Sequence, residues 1–276
     1  MTASLIVYHG DCLDGFTAAW SAWRRLGHAP RYLPAFHGAA PVDVAGEDVV
    51  MLDFAYPRPT MLALAERAGS LLVLDHHKTA LDELADLPYV TLDMNQSGAG
   101  MAWRHFHPHD PVPRLVLAVE DGDLWRHEFP ATRDIYLRLS LEPRTFSNWN
   151  RIAALLERDT DFASFVAEGR LLREEREFQV ERLVLRRHEV LLGGEEGLGV
   201  EAPAGLRSEV GHRLAELSGT FGLVWYGRGE TTRVSLRSIG DFDVERLARR
   251  YGGGGHRNAA GFSLPNPAML RTFITV

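Results

Sequence analysis

The stretch "LLVLDHHKTAL", residues 71–81, joins four apolar residues to an acid, two histidines and the only lysine of the chain, Lys78. A short apolar run of this kind predicts a strand that is buried on both faces of a sheet. Asp75, His76 and His77 follow where that strand ends. Three adjacent titratable side chains at that point predict either an irregular loop or a functional site, and Lys78 is interpreted as a solvated residue of the next helix.

The same alternation of short apolar runs and helical patterns extends through the N-terminal part of the chain. Residues 4–9, 49–54 and 89–94 predict further strands, and residues 14–27 and 59–69 predict helices between them. This βαβ order predicts an α/β fold in which a parallel sheet carries helices on both of its faces.

Three regions are expected along the chain: a parallel-sheet domain, a charged helical linker and a smaller C-terminal α/β domain. Their predicted bounds are 1–130, 131–192 and 193–276. Residues 161–190 of the linker predict one long amphipathic helix, and "LLGGEEGLG", residues 191–199, predicts a glycine-rich turn at the domain edge.

Composition narrows the classes of function that are expected. The net charge of −7 over 276 residues argues against a surface that coats long duplex DNA, because such binding needs many cationic contacts. A single cysteine, Cys12, excludes an intramolecular disulfide. The N-terminal segment lacks the features of a signal peptide, and no run approaches the length of a membrane span. We therefore expect a cytoplasmic protein with no membrane partner.

Polar side chains stand where several of the predicted strands end. Taken singly, an aspartate there is usually a helix N-cap and a loop histidine is usually solvated. Because the carboxyl ends of parallel strands meet at one edge of a sheet, these carboxylates are expected to converge, and divalent cations would relieve their repulsion. Carboxylate mixed with imidazole suits Mn²⁺, Fe²⁺, Co²⁺ or Zn²⁺, and the number of ligands suits two ions. The candidates are His9, Asp11, Asp14, Asp53, Asp75, His76, His77, Asp121 and Asp123.

The order of these motifs resembles that of the DHH phosphoesterase superfamily. "LDHHKTA" resembles its DHH signature, "HGDCLDG" its first motif, Asp53 its second and "EDGDLW" its fourth. "GGGGHRNAAGF", residues 252–262, resembles the signature of the DHHA1 domain, which follows DHH in members that cleave short nucleic acids and nucleotides. The resemblance covers essentially the whole chain and is nearest to nanoRNase B-type oligoribonucleases. It implies a DHH metal-binding catalytic domain and a DHHA1 substrate-binding domain.

The resemblance also implies a role for each matching residue. Mn²⁺ is the expected cofactor, as two ions, with other divalent cations as alternatives. Asp75 would orient or supplement His76, and His77 would face the substrate phosphate, so that Asp75 and His77 are the catalytic candidates. One ion would be held by His9, Asp11 and Asp53, and the other by Asp14, Asp53, His76 and Asp121, with Asp53 bridging.

Two positions depart from the family pattern. The first motif often carries two aspartates separated by one residue, whereas Cys12 and Leu13 separate Asp11 from Asp14 here. Cys12 therefore occupies a register where aspartate is common, and either Asp11 or Cys12 is expected beside the metal. In the fourth motif Asp121 fits the register better than Asp123, and the sequence leaves this choice open.

The glycine run has two interpretations. One is a helix C-cap followed by a flexible loop, because Gly252 directly follows a helical pattern. The other is a loop whose backbone N–H groups approach an anion, as glycine permits. The resemblance implies the second, with the substrate's terminal phosphate and nucleotide as ligand. The substrate-binding candidates are Gly254, Gly255, His256, Arg237 and Ser238, with Arg257 as a weaker one.

The favoured function is a metal-dependent phosphodiesterase that degrades short oligonucleotides by two-metal hydrolysis. The alternatives are a phosphatase acting on 3′-phosphoadenosine 5′-phosphate, a phosphodiesterase acting on linear or cyclic dinucleotides, and a catalytically inactive nucleotide sensor. Trp103 and Trp125 are either core residues or platforms for a base. The oligomeric state stays open, with a homodimer as one alternative.

Overall fold

A computed structural model describes residues 3–228, 231–265, 267–272 and 274–275. The chain forms two compact units, Met1–Arg173 and Glu174–Val276. Every helix within the described ranges is too short or too polar to cross a lipid bilayer.

The first unit is built on a five-stranded sheet in the order β2-β1-β3-β4-β5, and all of its pairings are parallel. Three of its strands were predicted from apolar runs within 49–54, 71–75 and 89–94, and β1 from the run at 4–9. Strand β2 escaped prediction because an edge strand with Arg31 and Pro34 lacks a continuous apolar run. The strands are β1 Leu5–His9, β2 Arg31–Ala35, β3 Asp48–Leu52, β4 Ser70–Asp75 and β5 Val90–Leu92.

The strand order reverses between β1 and β3. In open parallel sheets, ligands bind in the crevice outside the carboxyl ends of the strands at such a switch point. His9 is the last residue of β1, Asp14 lies in the first turn of α1, and Asp53 directly follows β3. The topology therefore directs the candidate metal ligands to the one place on the sheet where a crevice forms.

Helices cover both faces of this sheet, as the alternation within the strands shows. Val49 and Met51 pack in one cluster with α2 and α3, whereas Val50 and Leu52 pack in another with α1 and α4. Strands buried on both faces read as continuous apolar runs, which is why the sequence predicted them. The helices of this part are α1 Leu13–Leu26, α2 Arg58–Arg67, α3 Lys78–Leu84, α4 Gly98–Phe106, α5 Arg114–Asp123, α6 Thr132–Ser140 and α7 Phe146–Leu156.

The region predicted as a linker, 131–192, divides between the two units. Helices α6 and α7 belong to the first, where Ile135 and Trp149 join the cluster formed by α1, α4 and α5. The long helix expected over 161–190 is present as α8, Asp159–Val184, and the unit boundary falls within it.

The second unit contains a seven-stranded sheet in the order β10-β11-β9-β8-β7-β6-β12, with one parallel pair, β7 and β8. Helix α9 packs on it through Val210 and Leu214 against Val200 and Val224. The strands are β6 His188–Leu192, β7 Glu195–Glu201, β8 Phe221–Arg228, β9 Thr231–Ser238, β10 Gly254–His256, β11 Ala259–Leu264 and β12 Ile274–Thr275; the helices are η1 Ala204–Leu206, α9 Arg207–Ser218, α10 Val244–Arg249 and η2 Pro267–Thr272.

Two glycine-rich stretches expected as a turn or loop are β-hairpins instead. In residues 191–199, only Gly193 and Gly194 turn, with φ of 61° and 88°, and the flanking residues pair as β6 and β7. In the run from Gly252, strand β10 pairs antiparallel with β11. Glycine lowers strand propensity, so single-sequence patterns miss strands whose stability comes from their sheet neighbours.

Candidate metal centre and a basic pocket

Strand β4 delivers Asp75, His76 and His77 to the carboxyl edge of the sheet. The Asp75 side chain is buried, and its Oδ1 accepts hydrogen bonds from the backbone N–H of His76 at 2.7 Å and of His77 at 3.3 Å. The same oxygen lies 2.7 Å from His77 Nδ1. Burial alone would lower the pKa of His77, but the hydrogen bond with Asp75 outweighs it and raises that pKa. Asp75 therefore orients the ring of His77, whereas the sequence led us to expect that Asp75 would orient or supplement His76.

Two sets of three side chains bring potential ligand atoms within 4.8 Å of one another: His9, Asp53 and His77, and Asp14, His76 and Asp123. Asp53 belongs to the first set and also lies close to the second. Its Oδ2 is 3.4 Å from His9 Nδ1, and its Oδ1 is 3.2 Å from His76 Nε2. The arrangement can hold two neighbouring cations with Asp53 between them. It brings His77, expected at the substrate phosphate, among the potential ligands.

Asp53 adopts an unusual backbone conformation directly after β3, with φ of 56°. Aspartate tolerates this left-handed region better than most residues, yet such strain persists only where the surrounding structure imposes it. Asp53 as a whole is 1% exposed. No residue that the structure describes is placed to donate a hydrogen bond to its Oδ1, and His76 Nε2, itself a potential ligand atom, lies 3.2 Å from this oxygen. A buried, unsatisfied carboxylate oxygen among imidazoles is a donor suited to a metal ion.

The carboxylates of the centre repel one another in the absence of a cation. Burial raises the pKa of Asp14 well above its usual range, and the charges of Asp53 and Asp123 add to this. Burial and Asp53 likewise raise the pKa of Asp123 to about 6. For His76, burial alone would lower the pKa, but Asp53 and Asp14 raise it to about 10. Burial alone would raise the pKa of Asp53, but the imidazoles of His76 and His9 lower it. Protons thus balance this charge, and a divalent cation would displace them.

The N-terminus of α4 fixes Asp14. Gly98 N and Ala99 N donate to its two carboxylate oxygens at 2.6 and 2.9 Å. Gly98 is required for this approach, because a Cβ built there would lie 2.3 Å from Asp53 Cβ. Ser97 followed by small residues is the sequence signal of this helix N-terminus, which was not predicted as part of the site. The Ser97 hydroxyl accepts from Gly100 N at 3.2 Å.

The two aspartates of the fourth motif have different surroundings. Asp121 is buried and accepts hydrogen bonds from Glu128 N at 3.0 Å, Phe129 N at 3.2 Å and the Thr132 hydroxyl. It therefore organises the loop after α5 and lies in neither set of potential ligands. Asp123 Oδ2 instead lies 3.5 Å from His76 Nε2. Sequence register favoured Asp121, but two residues along a helix rotate the side-chain direction by about 200°, and it is Asp123 that points towards His76.

In the first motif, Cys12 points into the centre and Asp11 is exposed. Cys12 Sγ donates to Asp53 Oδ2 at 3.2 Å and lies 3.3 Å from His9 Nδ1. It also caps α1, accepting from Gly15 N at 3.2 Å. Burial, then the charges of Asp53 and Asp14, raise the pKa of the Cys12 thiol.

Four further side chains lie outside both sets of potential ligands. His37, which the sequence analysis missed, lies with its ring 5.1 Å from that of His9 and 6.3 Å from that of His77. Burial, then the nearby His9, lowers the pKa of His37. Trp103 is a core residue, stacked 4.1 Å from the His107 ring. Lys78 is an exposed first residue of α3, and Trp125 is 53% exposed.

The second unit contains an open pocket of about 370 Å³ over β9 and the β10–β11 hairpin. Of the predicted substrate-binding residues, Arg237, Gly254 and His256 line it, together with Ser235, Arg207, Arg233 and Tyr226, which were not predicted. Gly255 and Ser238 are not among the lining residues. The Ser238 hydroxyl is engaged instead, donating to Phe242 O at 2.7 Å.

Arginines concentrate positive charge in this pocket. Among the described residues, Arg207, Arg233 and Arg237 form no ion pair with a carboxylate, whereas Arg257, the weaker candidate, pairs with Asp241 at 2.8 Å. Burial, then the charge of Arg207, lowers the pKa of the Arg237 guanidinium. Positively charged side chains held close together at a half-buried site favour the binding of an anion.

Comparison with known proteins finds similarity along most of the chain. Residues 207–276 match the model of the DHHA1 domain family. Uncharacterized protein R106 of Acanthamoeba polyphaga mimivirus is 28% identical over 286 residues, which cover 94% of this chain and 67% of the viral protein. Oligoribonuclease NrnB of Bacillus subtilis is 26% identical over 217 residues, covering 71% of this chain and 53% of NrnB. The chain thus spans about half the length of NrnB.

Among solved structures, a DHH domain described as a member of a family of ribosomal proteins has the same fold. It superimposes with a TM-score of 0.63 at 15% identity, over 94% of this chain and 82% of that one.

Proposed function

Because the chain belongs to the DHH/DHHA1 phosphoesterase superfamily, we propose that it is a divalent-metal-dependent phosphodiesterase that degrades short oligonucleotides. Membership assigns it to the phosphoester hydrolases. The substrate assignment draws on the likeness to an oligoribonuclease. The observation that carries the proposal is the pair of ligand sets around the buried, unsatisfied Asp53 oxygen at the switch point of the sheet.

The residues fit two divalent cations. His9, Asp53 and His77 would hold one, and Asp14, His76 and Asp123 the other, with Asp53 shared. Mixed imidazole and carboxylate donors suit Mn²⁺ among the transition ions. When bound, such a pair lowers the pKa of a water molecule and stabilises charge on phosphoryl oxygens.

The chain's own residues position the reaction. The α4 amides hold the Asp14 carboxylate, and Asp75 fixes the ring of His77, so that ligands keep one orientation while substrate binds. His37 stands beside His9 and His77, where its neutral ring can bond a phosphate oxygen. In the second unit, Arg207 and Arg237 bind the terminal phosphate, and the Tyr226 ring offers a face to a base.

A substrate panel tests the proposal. The purified chain is incubated with Mn²⁺ and with RNA and DNA oligomers from dinucleotides to decamers, 3′-phosphoadenosine 5′-phosphate, and linear and cyclic dinucleotides. We expect the fastest hydrolysis for the shortest RNA oligomers. Asp123→Asn should abolish it, whereas Asp82→Asn, an exposed aspartate of α3, should not.

Each other outcome changes the proposal in a defined way. Preferred hydrolysis of 3′-phosphoadenosine 5′-phosphate or a cyclic dinucleotide would reassign the substrate and keep the metal centre. Absence of hydrolysis across the panel, with no manganese bound by elemental analysis, would contradict the enzyme and favour a sensor.

A larger side chain at Gly254 tests whether the basic pocket binds the substrate. A Cβ at Gly254 would meet no atom within 4 Å, so Gly254→Val keeps the hairpin but narrows the pocket. We expect KM to rise about 10-fold or more with a smaller change in kcat, the signature of lost binding. Gly227→Val is the matched control, since Gly227 is also a strand glycine with open space around its Cβ position. An unchanged KM in Gly254→Val would remove the pocket from the substrate site.

A further inference from the structure

We propose that Cys12 binds the same metal ion as His9 and Asp53, as a thiolate. The inference rests on the proposed metal centre and deepens it, because a sulfur ligand changes which ion the site prefers. The sequence left open whether Asp11 or Cys12 stands beside the metal, and the carboxylate of Asp11 is exposed while Cys12 Sγ faces the centre.

The geometry of three donor atoms carries the inference. Cys12 Sγ, His9 Nδ1 and Asp53 Oδ2 form a triangle with sides of 3.2, 3.3 and 3.4 Å. Ligand bonds of about 2.0–2.3 Å place two donors of one ion roughly 3.0–3.6 Å apart at tetrahedral or octahedral angles. All three sides fall in this range, so one ion can contact the three atoms without movement of the backbone.

Two further observations support a ligand at this place. The Asp53 side chain is 2% exposed, and its other oxygen, Oδ1, lacks a hydrogen bond from any described part of the chain. Cys12 is also held firmly. Gly15 N donates to its Sγ at 3.2 Å, and a Cβ at Gly15 would lie 2.3 Å from His9 O, so α1 starts in close contact with β1.

Coordination changes the chemistry of this site. Binding of the cation displaces the thiol proton to solvent, and the helix N-terminus stabilises the resulting thiolate. A thiolate favours softer borderline ions such as Co²⁺ and Zn²⁺ over Mn²⁺, which prefers oxygen. The ligand set with Cys12 should therefore select a softer ion than the set formed by Asp14, His76 and Asp123.

Cobalt spectroscopy tests the inference without any substrate. The metal-free full chain is titrated with Co²⁺, and a thiolate-to-cobalt charge-transfer band is sought in the near ultraviolet. Since Cys12 is the only cysteine, no other residue can produce that band. We expect it to saturate with one equivalent, to vanish in Cys12→Ser and to persist in the neighbouring control Asp11→Asn. Serine preserves the helix cap, so loss of the band reports ligation and not misfolding.

Metal selectivity gives a second readout. Cys12→Asp should lower the ratio of Zn²⁺ affinity to Mn²⁺ affinity by at least about 10-fold. Changes around a metal site have effects of this size. Stoichiometric cobalt binding without a charge-transfer band would overturn the role of Cys12 and leave the phosphodiesterase proposal standing. Failure to bind cobalt at all would overturn both. A band in a protein that hydrolyses no oligonucleotide would support Cys12 and reject only the function.

Discussion

Asp53 combines a left-handed backbone and near-complete burial with a carboxylate that belongs to one set of potential ligands and lies 3.2 Å from His76 Nε2 of the other. Strain of about 1–3 kcal/mol at such a residue is retained where function requires the geometry. Asparagine tolerates positive φ almost as well as aspartate. The effect of the side-chain charge can therefore be tested separately from that of the backbone conformation.

Asp53→Asn should keep the fold and lose activity by more than about 100-fold, since even the partners of metal ligands contribute 10- to 100-fold. Turnover with Mn²⁺ is measured beside thermal unfolding. Asp53→Ala is the comparison, and it should lose stability as well because alanine is strained at φ of 56°. Turnover of Asp53→Asn within a few-fold of the parent would contradict the shared-ligand assignment.

Gly98 is a second residue whose effect follows from distance alone. An added Cβ would lie 2.3 Å from Asp53 Cβ and 2.9 Å from Asp14 Oδ2. Gly98→Ala should therefore displace both carboxylates, costing about 1–3 kcal/mol of unfolding free energy and weakening Mn²⁺ binding. Calorimetric titration with Mn²⁺ measures the affinity. Gly205→Ala, where a Cβ meets nothing within 4 Å, should leave it unchanged, and equal affinities in the two variants would contradict the packing argument.

At the scale of secondary structure, potential metal ligands lie at the ends of strands, and the N-termini of helices bind and orient some of them. Strand β1 ends in His9, β3 is followed directly by Asp53, and β4 ends in Asp75, which His76 and His77 follow. Helix α1 begins after the Cys12 cap, and α4 donates two amides to Asp14. Helix α5 ends at Asp123, and Asp121 in its last turn accepts hydrogen bonds from the loop that follows. The positive end of the α4 dipole also offsets part of the local negative charge.

The two aspartates of α5 should respond differently to neutralisation. Asp123→Asn should lower Mn²⁺ affinity at least about 10-fold with little change in stability. Asp121→Asn should lower the unfolding free energy by about 1–3 kcal/mol, because it weakens hydrogen bonds to a buried charge, and should alter the fluorescence of Trp125 in the loop. Titration calorimetry and denaturant unfolding of both variants check this, and the reverse pattern would return Asp121 to the ligand set.

At the scale of the whole molecule, the chemistry divides between units that carry opposite local charge. The first holds the carboxylate centre, and the second the arginine-lined pocket. With an overall charge of −7, positive potential is local to that pocket, which suits a short anionic substrate and not a long duplex.

Bound metal should stabilise the folded chain. At a free Mn²⁺ concentration of 100 times Kd, one site contributes about 2.7 kcal/mol, and a chain of this size gains about 2–4 °C per kcal/mol. We therefore expect Mn²⁺ to raise Tm by about 5–10 °C and a chelator to reverse it, measured by scanning calorimetry. Asp123→Asn should reduce the shift, and an identical Tm with Mn²⁺ and with chelator would argue against a metal centre.

Local sequence patterns predicted the α/β class, four of the five parallel strands and the edge of the sheet where the polar residues meet. These are local properties: apolar runs and their period report burial, and the acids that follow report where each strand ends. The glycine run was likewise located, although its hairpin was not.

Which of two neighbouring candidates points inward depends on the tertiary structure. Asp121 and Asp123 are two helical residues apart, so their side chains point in directions about 200° apart. Cys12 caps α1 with its sulfur towards Asp53, while Asp11 is exposed. The anchoring of Asp14 by α4 and the grouping of Arg207 with Arg237 join residues far apart in the chain. No local pattern encodes such contacts, because they arise only when strand order and helix packing bring those segments together.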